Sequence, residues 1–114
     1  MNRVFSRIIF LIVLLSGIPL TTSAAFNANI SGTIVYLNTY DNDIILFKLT
    51  TMPTTGCPMN DYFSISPVTV PSQESRNRFF TVLLLAKATG TPVNVGYDSG
   101  ATCDNGRPHV YEIN

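Results

Sequence analysis

The chain contains no tryptophan, one histidine and two cysteines, and charged residues make up only 12% of it. Each scarcity closes off a class of function. A single imidazole cannot build a histidine-based metal site, which needs several ligands converging on one ion. Cys57 and Cys103 lack the close C-x-x-C spacing of redox and zinc motifs. Lys and Arg together equal Asp and Glu at seven each, so no basic excess draws nucleic acid or an anionic membrane surface. A run of roughly 20 apolar residues, the length that crosses a bilayer, is also missing.

The longest apolar run is "IIFLIVLL", from Ile8 to Leu15, behind a short start that carries Arg3 and Arg7. Pro19 interrupts the stretch that follows, and "TTSAA" supplies small residues, with Ser23 and Ala25 at the −3 and −1 positions of a cut before Phe26. This is the pattern of a secretory signal peptide over residues 1–25. A cut after Ala24 fits the same pattern, and an uncleaved anchor is the rival reading. Export places the remaining residues 26–114, one small domain, in a secreted or periplasmic setting. Arg3 and Arg7 leave with the leader, so five Lys/Arg then face seven Asp/Glu and the net charge turns slightly negative. In an exported chain of this size two cysteines are expected to form one structural disulfide, Cys57 to Cys103, with a redox or metal pair as the alternative.

The rest of the chain is rich in Thr, Val, Ile, Tyr, Asn and Gly, a composition that favours strands. Residues 30–37 ("ISGTIVYL") and 44–49 ("IILFKL") are expected to form a hairpin around the turn "NTYDND", with Gly32 at a bulge or close approach. Asp41 and Asp43 in that turn suggest calcium, but the glycine and glutamate of an EF-hand loop do not follow. "TTMPTTGCPMND" is a loop, 62–65 a short third strand, and "SPVTVPS" an edge strand or extended connector because of Pro67 and Pro71. A helix is predicted over 73–89. Ser72 caps it, Glu74 and Lys87 match its dipole, Gly90 suits the left-handed position after its end, and Pro92 forbids continuation. Its apolar stripe of Phe79, Leu83 and Ala86, widened by Phe80, Val82 and Leu84, predicts a mostly buried helix plugging a sheet or barrel. Residues 92–98 alternate, with Val93, Val95 and Tyr97 inward, and 108–113 form the last strand after a reversal at "DNG".

Several stretches invite chemistry and then fail to support it. "YDSGA" around Ser99 looks like a nucleophile setting, but a serine nucleophile needs a base held by a third group. His109 is the only imidazole. On a strand it shares its face with Tyr111 and not with Glu112, so a surface or hydrogen-bonded structural role is the better reading. Arg76 and Arg78 point roughly 200° apart around a helix and cannot converge on an anion, so a solvated face is expected. Asn29-Ile30-Ser31 is a glycosylation sequon, relevant only in a eukaryotic secretory pathway. No catalytic residue, metal site or cofactor is assigned.

The element order is β-β-β-α-β-β, and five short strands with a helix between the third and fourth resemble an OB-fold, a partly open five-stranded barrel that binds oligonucleotides and oligosaccharides. Within that fold, "VPSQ" (Val70 to Gln73), "TCDNGRPH" (Thr102 to His109) and "VYEI" (Val110 to Ile113) are similar to the cholera-type receptor-binding (B) subunits of bacterial A–B toxins. "LLLAKATGTPVNV" (Leu83 to Val95) is similar to the subtilase-cytotoxin-type B subunits, and "AKATGTPV" to small exported bacterial proteins. Two departures stand beside the likeness: Cys57 lies mid-chain where the cholera-type partner cysteine is near the N-terminus, and no tryptophan is present to stack a sugar.

The resemblance implies a non-catalytic binder of a glycan or cell-surface molecule, assembled as a homo-oligomer, five copies by analogy, and carrying a catalytic subunit. In the OB layout the loops between strands one and two and strands four and five flank the binding face. That placement makes Tyr40, Asp41 and Asn42 candidate ligand contacts, with Asn105 and Arg107 opposite. The alternative is a small structural or interaction protein, an inhibitor or envelope component, using the Cys57 loop as its contact.

Overall fold

In the computed structural model, which describes residues 26–114, the chain begins with two strands that are almost one. β1 (Ala28–Gly32) and β2 (Ile34–Thr39) are separated by Thr33 alone, yet they belong to different sheets. The proposed leader, residues 1–25, and its cut before Phe26 lie outside the described residues. After β2 come β3 (Ile45–Leu49), β4 (Phe63–Ile65), the helix α1 (Gln73–Thr89), β5 (Val93–Tyr97), β6 (Cys103–Asp104), β7 (Arg107–Pro108) and β8 (Val110–Ile113). The protein is mainly β with one helix among the described residues.

The strands are organised as β1-β5-β8, β2-β3-β4 and the small ribbon β6-β7, so the hydrogen-bonded sheets number three, three and two strands instead of the expected OB-like barrel of five. The expected first strand splits because the chain bends between the sheets at Gly32 and Thr33. A Cβ on Gly32 would stand 2.9 Å from Thr50 Oγ1, so the close approach foreseen there is real. The bulge lies further on, between Ile34 and Tyr36, where the pairing with β3 shifts register and Val35 is pushed out to 53% exposure. The expected last strand is also divided. Asn105 and Gly106, both at positive φ, turn the chain tightly between β6 and β7.

The core fills the space between the two larger sheets. Phe47 and Phe63 stack at 5.1 Å, and Phe63 meets Tyr97 of the other sheet at 5.9 Å. Ile34, Leu49 and Ile65 from one sheet and Val93, Val95 and Val110 from the other complete it. The inward set of β5 is the one its alternation predicts. Between the sheets runs one isolated parallel bridge, Ser64 to His109. Residues 67–69 form a turn, correcting the expectation of a strand or extended connector at "SPVTVPS".

α1 has the bounds and caps that its sequence predicts. Ser72 Oγ accepts from Ser75 N at 3.2 Å, and Gly90 sits at φ 68° with its N–H directed to the last carbonyls. Its burial follows the expected stripe at Phe79, Leu83 and Ala86 but corrects the expectation of a mostly buried helix. Only Arg76, Leu83 and Ala86 are buried, with Phe79 and Phe80 half-buried, while Val82, Leu84 and Leu85 face outward. The helix packs against β2 of one sheet and β8 of the other along one row of i, i+3 and i+4 positions, which puts Leu83 and Ala86 into the core and leaves its other sides exposed.

Arg76 corrects a second expectation. Its side chain does not join a solvated face. It is turned inward at 7% exposure, donating to the carbonyls of Val70 and Pro71 at 2.8 and 2.9 Å, with Asp43 Oδ2 at 3.6 Å. Arg78 is exposed and paired with Glu74 one turn earlier. Cys57 and Cys103 form a disulfide with Cα atoms 5.8 Å apart, which ties the loop after β3 to β6.

Candidate binding face

The outward face of the β2-β3-β4 sheet follows from its register. Leu37 pairs with Phe47 and points into the core, so its neighbours Tyr36 and Asn38 point out. On β4, Phe63 points in and Tyr62 before it points out. The Tyr36 and Tyr62 rings meet with centroids 4.7 Å apart. Asn38 Nδ2 donates to the Tyr36 hydroxyl at 3.1 Å. The Tyr40 hydroxyl beside Tyr36 is the main influence raising its phenol above the usual value.

At the other end of this row, the Arg107 guanidinium lies 5.7 Å from the Tyr62 ring centroid. Asp61 holds it from behind, with Arg107 Nε and an Nη donating to the two carboxylate oxygens at 3.0 and 3.4 Å. Partial burial alone would raise the Asp61 carboxyl, but the Arg107 hydrogen bond and charge outweigh it and hold the group below its ordinary range. The sheet thus carries a row running Tyr40, Tyr36, Tyr62, Arg107, which joins the turn after β2 to the β6-β7 hairpin.

Two of the five candidate contacts, Tyr40 and Arg107, stand at the ends of this row. Asp41 and Asn42 are exposed in the turn, and Asn105 is exposed at the hairpin tip, where its carbonyl accepts from Arg107 at 3.4 Å. No side-chain hydrogen bond joins any of these three to a tyrosine of the row among the described residues. The sequence reading missed Tyr36, Asn38, Asp61 and Tyr62. The alternation of Tyr36 and Asn38 in "IVYLNT" was a signal, obscured by the bulge at Val35. The Tyr62 contact had no local signal, since it depends on pairing β4 beside β3.

Asp43, next to the expected contacts, is drawn instead toward Arg76, in the wall of a cavity of about 210 Å³ beneath Tyr40 and Phe80. Behind the row, Asp104 is buried at 4% exposure and accepts from Ser64 and Ser66 at 3.0 and 2.7 Å, which locks the ribbon onto β4. Ser99 sits in the loop after β5, with its backbone N–H and hydroxyl both donating to Asn27 Oδ1. The His109 ring lies 4.1 Å from that of Tyr111, tilted by 37°, and neither residue is hydrogen-bonded to Ser99 among the described residues. No group of three or more His, Cys, Asp or Glu converges among the described residues. No family model, curated protein or solved structure matches the chain.

Proposed function

We propose that this is a secreted, non-catalytic binding protein that recognises a glycan or glycosylated cell-surface molecule on the Tyr40–Tyr36–Tyr62–Arg107 row. The observation that carries the reading is the row itself. Tyrosine rings offer apolar faces to the C–H side of a sugar, and their hydroxyls, with Asn38 and Arg107, offer directed hydrogen bonds at the rim. Arg107 is already oriented by Asp61, so little freedom is lost when a ligand docks.

The reading includes an OB-like architecture, partly open, with the signal peptide directing export. Support comes from the near-continuity of β1 and β2 across two sheets and from the parallel Ser64–His109 bridge between them. The likeness to toxin B subunits extends the proposal to a homo-oligomer, five copies by analogy, and to a catalytic partner subunit. The outward Val82, Leu84 and Leu85 of α1 favour self-association.

The test is binding of the oxidised protein to a printed glycan array, followed by titration of the best glycan. Tyr62→Ala is expected to weaken binding about tenfold, the loss of one stacked ring and one cation–π contact. Absence of any array signal, or an unchanged affinity in Tyr62→Ala, sinks the reading.

A further inference from the structure

Arg76 is the one buried cation among the described residues, and only part of its guanidinium is used. Nη1 donates to the carbonyls of Val70 and Pro71, whereas Nε and Nη2 make no hydrogen bond among the described residues. Nη2 stands 3.6 Å from Asp43 Oδ2, a contact of charge beyond hydrogen-bond range. Neither nitrogen is shut away from solvent. The buried, unpaired side-chain nitrogen and oxygen atoms of the described residues are Thr69 Oγ1 and His109 Nδ1, and Arg76 contributes none. Arg76 and Asp43 both line the cleft of about 210 Å³ between the turn after β2 and the first half of α1. A guanidinium held by one nitrogen, with its other donors unspent in the wall of a cleft, is set to receive a planar anion.

The rest of the wall narrows the ligand. Arg76 and Asp43 are the only charged residues lining the cleft among the described residues, one of each sign. A bare anion would meet Asp43 unfavourably, and a bare cation would meet Arg76. A ligand carrying both charges a few ångströms apart gives each a partner. It replaces a single long contact in which the Asp43 side chain is 62% exposed, and such a pair holds weakly. Ile44, Ile45 and Phe80 supply apolar surface, and the Gln73 and Asn77 amides supply further hydrogen-bonding groups. A carboxylate and an ammonium on one carbon, with an apolar substituent, match this wall.

We infer that the Arg76–Asp43 cleft binds a free α-amino acid with an apolar side chain. The carboxylate docks on Arg76 Nε and Nη2, the ammonium on Asp43, and the side chain against Phe80 and Ile44. The site borders the tyrosine row at Tyr40 and does not depend on glycan recognition there.

The probes are L-valine, L-leucine, L-methionine and L-phenylalanine, titrated into the isotope-labelled, oxidised protein and followed by NMR at the Arg76 Nε–H and the Asp43 amide. At least one is expected to shift both signals saturably. Its methyl ester, which lacks the carboxylate, and its N-acetyl form, which lacks the ammonium, should each bind about tenfold more weakly. Arg76→Ala would also release the Val70 and Pro71 carbonyls, so the protein is altered at exposed Asp43 instead. Asp43→Asn suits the backbone φ of 65° at that position, which asparagine tolerates, and should raise the Kd about tenfold. Tyr62→Ala should leave this Kd unchanged while weakening array binding. The inference is overturned if no amino acid shifts the two signals, or if a methyl glycoside shifts them instead. An ester or N-acetyl form that binds as well as its parent, unchanged affinity in Asp43→Asn, or loss of the response in Tyr62→Ala overturns it as well.

Discussion

Asp104 and His109, five residues apart, show how differently a buried polar group can be treated in the same corner of the molecule. Asp104 is satisfied by two serine hydroxyls, and replacing it with alanine would strand both. Asp104→Ala is therefore expected to cost about 2–3 kcal/mol in urea unfolding, while Asp104→Asn, which retains one acceptor, should cost less. His109 is held neutral by burial, so its folded pKa lies below the unfolded value of about 6.5. As pH falls, the unfolded chain takes up this proton first. The stabilising contribution is thus complete above about pH 6.5 and is lost as pH drops through the folded pKa. The urea midpoint should fall between about pH 7 and pH 5 in the wild type, and His109→Phe should flatten that slope. Asp61 and Asp98 act lower on the scale. Their depressed pKa values give stability above the ordinary carboxylate pKa that disappears as pH falls through the folded values.

Within α1, neighbouring leucines have opposite fates. Leu83 is fully buried and Leu84 is 51% exposed, since a rotation of about 100° per residue carries one into the core and the next into solvent. Leu83→Ala is expected to destabilise by about 2–4 kcal/mol, and Leu84→Ala by less than about 0.5 kcal/mol, both read from chemical unfolding. Ser72→Ala removes the cap and should cost about 1 kcal/mol. Where the outward residues serve as a contact between copies, Leu85→Glu lowers the mass measured by light scattering and leaves the monomer's unfolding unchanged. Caps and helix bounds were legible because they depend on residues a few positions apart. The stripe Phe79, Leu83 and Ala86 was legible by the same spacing, but its width was not: of the flanking Phe80, Val82 and Leu84, only Phe80 is half-buried, and Arg76 joins the row. The choice was made by where β2 and β8 lie against the helix.

Across the whole molecule, the disulfide joins the loop after β3 to the strand before the hairpin, closing a sequence separation of 46. The chain-entropy argument assigns such a crosslink about 4 kcal/mol at most, comparable to the total stability of many small domains. Reduction, or Cys57→Ser with Cys103→Ser, is expected to lower the melting temperature by more than about 10 °C. A shift of only a few degrees in both would place stability chiefly in the Phe47–Phe63–Tyr97 core. The same crosslink anchors the base of the ribbon that carries Arg107, so the reduced protein should also bind array glycans more weakly.

Strand composition, the helix with both its caps, the Asn-Gly reversal and the inward set Val93, Val95, Tyr97 followed from the sequence by itself, because each is settled by neighbours along the chain. So did the pairing of the two cysteines, through their number and the expected export. The split of the first strand at Thr33, the inward turn of Arg76, the outward face of α1 and the meeting of Tyr36, Tyr62 and Arg107 were decided only in the tertiary structure. Each of these depends on which residues remote in sequence come to lie within a few ångströms. The buried and unpaired Thr69 Oγ1 and His109 Nδ1 belong to the same group, since an unpaired atom is defined by the partners that packing fails to bring.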